Sequence, residues 1–478
     1  MQSTRPRRLT SLFYAIGQNA EGVQSAAFHT FLLFYYQQVI GVSGTLTGLA
    51  LALALCADAA TDPVAGSLSD RTSGRFGRRH PFIVSSAIPL GISFVMLFNP
   101  PAGLTELGNF AWLLAFAILV RICLTFYQIP HLALGAELAT NTVDRSALFN
   151  MAALARMGGE GLVPLLAYLM FFPTTPDYHP GTLNAAGYLP FSLFFAAWMI
   201  LVILLSAWGT RHEIPRLRQT QAGPATAWHS GYREMVDALA NRAFRTLFLF
   251  IFVFSLISSV TGVVSPFMAF HFWGLTTETL AMIVVLAAPA VIPTLYLVPW
   301  LTSRFDKRDI LMGSTAVLVV STTWAVLCRL LDLDWFPANG TLWITAIVLL
   351  NTALFAMTLP VFISASDSMM ADIADEIELT TGERREGLLF AARAFTAKAT
   401  GSLGLLIGGA TLDLIDFPRQ ASVGSVPPAT IWHLGVIAGP ATSFLMLLSI
   451  GLLLRYPLTR ERYLAIQRDL GQKQRQDR

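Results

Sequence analysis

The chain has 478 residues, of which 54% are hydrophobic and 13% charged, with a formal net charge of +3. This composition excludes an ordinary water-soluble globular protein, because the apolar runs reach the roughly 20 residues that cross a hydrocarbon core. A nucleic-acid partner is excluded as well, since the basic residues are accounted for by membrane orientation.

Taken in chain order, the apolar runs predict twelve spans: 11–40, 44–69, 82–98, 109–138, 147–172, 189–208, 246–272, 278–301, 309–331, 341–371, 388–412 and 431–454. The basic start, Met1 to Arg8, leads into Gln18, Asn19, Glu21 and Gln24 with no short apolar region or cleavage site, so the first helix is expected to be retained. Cys56, Cys123 and Cys328 all fall in apolar runs and are expected to be free, buried thiols. The longest polar interruption divides the spans six and six. The expected organisation is an N-terminal six-helix bundle (1–208), a cytoplasmic linker (209–245), a C-terminal six-helix bundle (246–455) and a cytoplasmic tail (456–478).

Placing both termini in the cytoplasm puts 26 of the 32 Lys and Arg on the inner side, leaves Arg419 in the outer loops, and holds Arg121, Arg156, Arg329, Arg393 and Lys398 within spans. The expectation is thus a monomeric multi-pass protein of a bacterial inner membrane, whose partners are membrane lipid and a small-molecule substrate. No phosphate-binding Gly loop, His/Cys metal spacing or nucleophile with its base occurs, so neither enzymatic activity nor a cofactor is expected.

The second span reads Asp58-Ala-Ala-Thr61-Asp62-Pro63 and runs into Gly66-Ser-Leu-Ser-Asp70-Arg71, then Arg75-Phe-Gly77-Arg78-Arg79. One charge near mid-bilayer costs roughly 2.5–3.5 kcal/mol on insertion scales, so two acids at i and i+4 call for a cation, a proton or a basic partner. Thr61 adds a hydroxyl beside them, and hard cations take oxygen ligands. In the fourth span Arg121, Thr125 and Gln128 form one polar stripe at i, i+4 and i+7. Arg304-Phe-Asp306-Lys307-Arg308, after the eighth span, is a weaker counterpart of the 70–79 loop, as expected of halves related by an internal repeat. Most of the charges from Asp372 to Glu386 read as a solvated loop, and Tyr14 and His29 as packing and hydrogen-bonding residues.

Gly66-x-x-x-Asp70-Arg71 with Gly77-Arg78-Arg79 resembles the loop signature of the major facilitator superfamily, and Asp58-x-x-Thr61-Asp62-Pro63 resembles the second helix of its glycoside–pentoside–hexuronide:cation symporters. Thr125-Phe-Tyr-Gln128-Ile-Pro130, Ser368-Met-Met-Ala-Asp372, Gly382-Glu-Arg-Arg385-Glu386-Gly387 and Phe395-Thr-Ala-Lys398 extend the resemblance over essentially the whole chain. It implies an all-α membrane protein of twelve transmembrane helices in two six-helix bundles. It also implies a cation site at Asp58, Thr61, Asp62 and Thr125 for Na+ or H+, with no other metal. Lys398 is implied to link the cation and substrate sites, and Gly66, Asp70, Arg71, Arg75, Arg78 and Arg79 to form a conformational latch.

The chain departs from this pattern in three places. Leu55 stands where relatives often carry arginine, and Arg121 is the candidate replacement charge for coupling. Gly22 and Gln128 occupy the two positions where sugar-binding aspartates are usual, with Glu21 one residue away, about 100° around the helix. A helix 5 arginine anticipated at 152–153 appears at Arg156, one turn from Glu160. The substrate-site candidates are therefore Glu21, Gln128, Arg156 and Lys398. The expected function is cation-coupled symport of a small glycoside, sugar or sugar acid by alternating access; the alternative is transport of an amphipathic or lipid-like solute.

Overall fold

The computed structural model describes residues 8–72, 74–139, 141–217, 239–382 and 386–476. Residues 218–238 of the expected linker, Arg384 and Arg385 lie outside them. All twelve expected segments are helical.

The first half contains α1 (Arg8–Gly17), α2 (Asn19–Ala26), α3 (Gly44–Arg71), α4 (His80–Leu97), α5 (Glu106–Leu138), α6 (Thr142–Leu166), α7 (Tyr188–Thr210) and the short α8 (Ile214–Leu217). The second contains α9 (Arg242–Phe267), α10 (Thr277–Ala287), α11 (Thr294–Arg304), α12 (Lys307–Leu330), α13 (Leu342–Thr381), α14 (Glu386–Leu414), α15 (Pro428–Val436), α16 (Thr442–Leu453) and the tail helix α17 (Arg460–Gln476).

The helices begin where short polar side chains can take up free backbone N–H groups. Ser43 accepts from Leu46 N, Thr105 from Gly108 N, Asn141 from Val143 N and Asn241 from Phe244 N, opening α3, α5, α6 and α9. Among the described residues, eight helical segments are long and apolar enough to cross a membrane, and α10 with α11 is a further candidate bent by 45°. Span 1 is absent from that set because it is built of short pieces, α1, α2 and the π-helical stretches Ala27–Leu32 and Tyr35–Ile40. Spans 5 and 11 are absent because they carry Arg156 and Glu160, and Arg393 and Lys398.

Among the described residues, those of 1–225, 276–284 and 405–426 form one compact unit. In it α3 packs on α5, α4 on α5 and α7, and α2 on α6, around a cluster of buried aromatic rings that includes Phe31, Phe94, Phe98, Tyr188 and Phe191. The end of α14 belongs to this unit and crosses the start of α3 glycine to glycine: a Cβ on Gly409 would sit 2.1 Å from the Gly44 carbonyl oxygen. Asp413, at the end of the same helix, accepts from Gly44 N at 2.9 Å and Thr45 N at 2.7 Å, an anion at a helix N-terminus.

The second unit comprises the described residues of 226–275, 285–404 and 427–478. Its core joins Phe250, Phe254, Leu318, Phe362 and Met369 to Ile466 and Leu470 of the tail helix. Arg462 pairs with Glu376 at 3.0 Å, and Gln467 Nε2 donates to Asp375 Oδ2 at 2.7 Å.

Three expectations are corrected. Asp372, Asp375 and Glu376 are not loop charges: α13 runs on to Thr381, and all three are buried under the tail helix and the α11–α12 loop. The cysteines are free, but Cys56 is exposed and the other two half-buried. Tyr14 packs as expected, stacked on His131 with ring centres 4.3 Å apart, whereas His29 is exposed.

Candidate functional site

The candidate cation site lies in the first unit, at the contact of α3 and α5. One helical turn separates Asp58 from Asp62, so both carboxylates leave α3 on the side that meets α5. There the Thr125 hydroxyl oxygen lies 2.7 Å from Asp58 Oδ1 and 3.3 Å from Asp62 Oδ1. Asp58 and Thr125 are buried and Asp62 is half-buried. Pro63 follows directly and has no N–H to give the Ala59 carbonyl, which loosens the helix beside the acids. Thr61 is held back on its own helix, its hydroxyl donating to the Asp58 carbonyl at 3.1 Å.

Two carboxylates brought to one hydroxyl repel each other as like charges, and that hydroxyl has a single proton to give between them. The arrangement favours a small cation with oxygen ligands, or a proton on one acid.

Arg121 precedes Thr125 by one turn of α5 and is influenced by the charges of Asp58, Glu21 and Asp62. Its guanidinium lies 4.9 Å from the centre of the Phe28 ring, on a π-helical stretch of span 1, and its buried Nε has no hydrogen-bond partner. It therefore feels the acid pair and Glu21 together, with its guanidinium against an aromatic ring and its Nε left without a hydrogen bond.

Glu21 is brought to α6. Its Oε2 lies 3.4 Å from Arg156 Nε, and Arg156 also pairs with Glu160 on its own helix. Asn19 fixes this crossing by donating to the Ala155 carbonyl at 2.9 Å and accepting from Trp198 Nε1 at 2.7 Å. The glycine at position 22 has a steric cause: a Cβ there would lie 2.0 Å from the Arg156 carbonyl oxygen, so no aspartate fits. Gln128 is half-buried farther along α5. Lys398 lies half-buried on the part of α14 that belongs to the second unit, where Arg393 pairs with Asp367 of α13.

At the far end of α3, Arg79 ties three groups together. It lies 2.6 Å from Asp70 and 3.0 Å from Glu137, and donates to Ser69 Oγ at 2.6 Å. Arg78 reaches the same Glu137 oxygen at 3.1 Å. Gly66 lies one turn earlier on α3, and Gly77 has φ +77° in the loop. Arg71 and Arg75 are exposed, with Arg75 over Phe76. The second unit repeats the device, with Lys307 Nζ 2.7 Å from both oxygens of Asp372. Glu137 is not among the sequence candidates and Asp372 reads there as a loop charge, because each lies in the C-terminal part of a long apolar helix and pairs with a basic residue distant in the sequence.

A family model described as "MFS/sugar transport protein" matches residues 13–460. The chain is 25% identical to an uncharacterized symporter of Synechocystis, with 97% of each chain covered. It is 24% identical to a putative glycoside/cation symporter of Escherichia coli, over 87% of this chain and 85% of the relative. It is 23% identical to a sphingosine-1-phosphate transporter of Xenopus tropicalis, over 95% and 88%. The crystal structure of a point mutant of the nucleoside transporter NupG aligns with a TM-score of 0.63 at 11% identity, over 92% of this chain and all of that one. That likeness is one of fold.

Proposed function

The chain belongs to the MFS/sugar transport protein family of integral, multi-pass membrane transporters, and we propose that it couples entry of a small glycoside, sugar or sugar acid to Na+ or H+. The observation that carries this reading is the convergence of Asp58, Asp62 and Thr125 on one point between α3 and α5. In the proposed cycle the unloaded acid pair resists burial in a closed carrier. A cation at Asp58 and Asp62, with oxygens of Thr125 and Thr61 in reach, removes that penalty, and substrate at Glu21, Gln128 and Arg156 completes the neutral, closable state. Arg121 and Lys398 link the two sites. Both termini face the cytoplasm, so the Arg79–Asp70–Glu137 cluster acts as an inner latch. The name of the E. coli relative supports the sugar class.

A second reading is an amphipathic solute. It is favoured by the Arg121–Phe28 pair, a cation on an aromatic face, and by the similarity to the sphingosine-1-phosphate transporter. Counterflow in proteoliposomes against a panel of glycosides, uronates and lysolipids separates the two. The proposal expects a saccharide or uronate to exchange, with uptake impaired in Arg156→Ala and Gln128→Ala; exchange of lysolipids alone would overturn the sugar reading.

A further inference from the structure

Two cavities in the second unit are lined by none of the cation- or substrate-site residues. One, of about 220 Å³, lies where the α11–α12 loop meets the tail, and its lining includes Asp306, Lys307, Asp372, Tyr456 and Arg460. The other, of about 350 Å³, lies between α11, α12 and α13 and is lined mostly by apolar groups such as Leu301, Val317 and Val361, with Asp309, Ser314 and Thr358 among them. Phe305 lines both, so a polar chamber at the helix ends adjoins an apolar crevice among the spans.

The acids of the chamber are already engaged. Asp306 Oδ1 accepts from Arg308 N at 3.1 Å and Oδ2 from Arg460 N at 3.0 Å, while both oxygens of Asp372 accept from Lys307. What remains is donor capacity: the third N–H of Lys307, whose ammonium also lies 4.9 Å from the centre of the Tyr463 ring, the exposed Arg460, and the hydroxyl of Tyr456, which is 5% exposed and has no hydrogen-bond partner. Burial and the carboxylates of Asp372, Glu376 and Asp306 push the Tyr456 phenol well above its ordinary pKa, which keeps its proton in place. The crevice has room to spare, since a Cβ on Gly313, one of its lining residues, meets nothing within 4 Å.

We propose that the second unit binds one phospholipid of the surrounding membrane, with the phosphate in the chamber against Lys307, Tyr456 and Arg460 and an acyl chain in the adjoining crevice. A donor-rich chamber alone would suit any phosphate; the apolar extension, set among membrane spans, selects one that carries a hydrocarbon tail.

The test is native mass spectrometry of the delipidated full-length protein titrated separately with phosphatidylglycerol, inorganic phosphate and diacylglycerol, with thermal unfolding as the check on folding. Phosphatidylglycerol should bind with one-site stoichiometry, and Tyr456→Phe and Arg460→Gln should each weaken it roughly tenfold, the scale of one charge-assisted hydrogen bond. Gly313→Leu, which fills the crevice, should abolish lipid binding without lowering the melting temperature. Unchanged lipid binding in all three variants would overturn the site. Inorganic phosphate binding as tightly as the lipid would overturn the role of the tail, and diacylglycerol binding as tightly would overturn the role of the phosphate.

Discussion

Asp58 and Asp62 differ in surroundings although they share a helix and a charge. Asp58 is buried and receives the closer approach of Thr125, while Asp62 is half-buried and farther from the same hydroxyl. Asp62 is thus the more exposed of the two carboxylates. Arg121 sets the field around both. At an effective dielectric of about 20, one charge about 6 Å away is worth roughly 2–3 kcal/mol. Replacing Arg121 by Gln should accordingly tighten cation binding at least about tenfold while weakening its dependence on substrate, whereas Arg121→Lys should stay near the parent. Cation titration of the tryptophan fluorescence of the purified protein reads this out; an unchanged affinity in Arg121→Gln would reduce Arg121 to a tie between helices. The acid pair was legible in the sequence because its i, i+4 spacing puts both carboxylates on one helix face, whereas Thr125, on another helix, was implied only by the family resemblance. The Glu21–Arg156 pairing was not legible, because it depends on how two helices are rotated where Gly22 and Gly159 touch the opposite backbone.

At the scale of the helix, polar side chains mark both where elements begin and where they meet. The N-terminus of α3 is satisfied twice, by Ser43 from its own chain and by Asp413 from the end of α14. Two charge-assisted bonds, one to the buried Gly44 and one to the exposed Thr45, make that contact worth about 1–2 kcal/mol. Asp413→Ala should lower the melting temperature of the detergent-solubilised protein, and Asp413→Asn, which keeps one acceptor, should lower it less. Equal melting curves for all three proteins would mean that the cap contributes nothing. Helix existence was readable from hydropathy almost throughout. The extension of α13 to Thr381 was not, because Asp372, Asp375 and Glu376 look like solvated charges until Lys307 at the start of α12 and Gln467 and Arg462 of the tail helix are brought over them.

For the whole molecule, the internal repeat faintly visible in the 70–79 and 304–308 loops is matched in structure. In each unit a basic residue after a helix pair is held by an acid at the end of a long helix, Arg79 with Glu137 and Lys307 with Asp372. The proposed orientation puts both devices in the cytoplasm with 26 of the 32 basic residues. A cysteine introduced at position 225 should resist an impermeant thiol reagent added to intact cells and react after lysis; strong labelling from outside would reverse the topology.

Coupling of solute entry to an ion held by the acid pair is tested most directly by gradient-driven uptake in proteoliposomes, with an inward Na+ or H+ gradient imposed across otherwise identical vesicles. The parent protein should accumulate its saccharide above equilibrium only with the gradient, while Asp62→Asn and Asp58→Asn should insert normally yet lose concentrative uptake. Accumulation by either variant at the parental level, or uptake by the parent that is indifferent to both gradients, would contradict it.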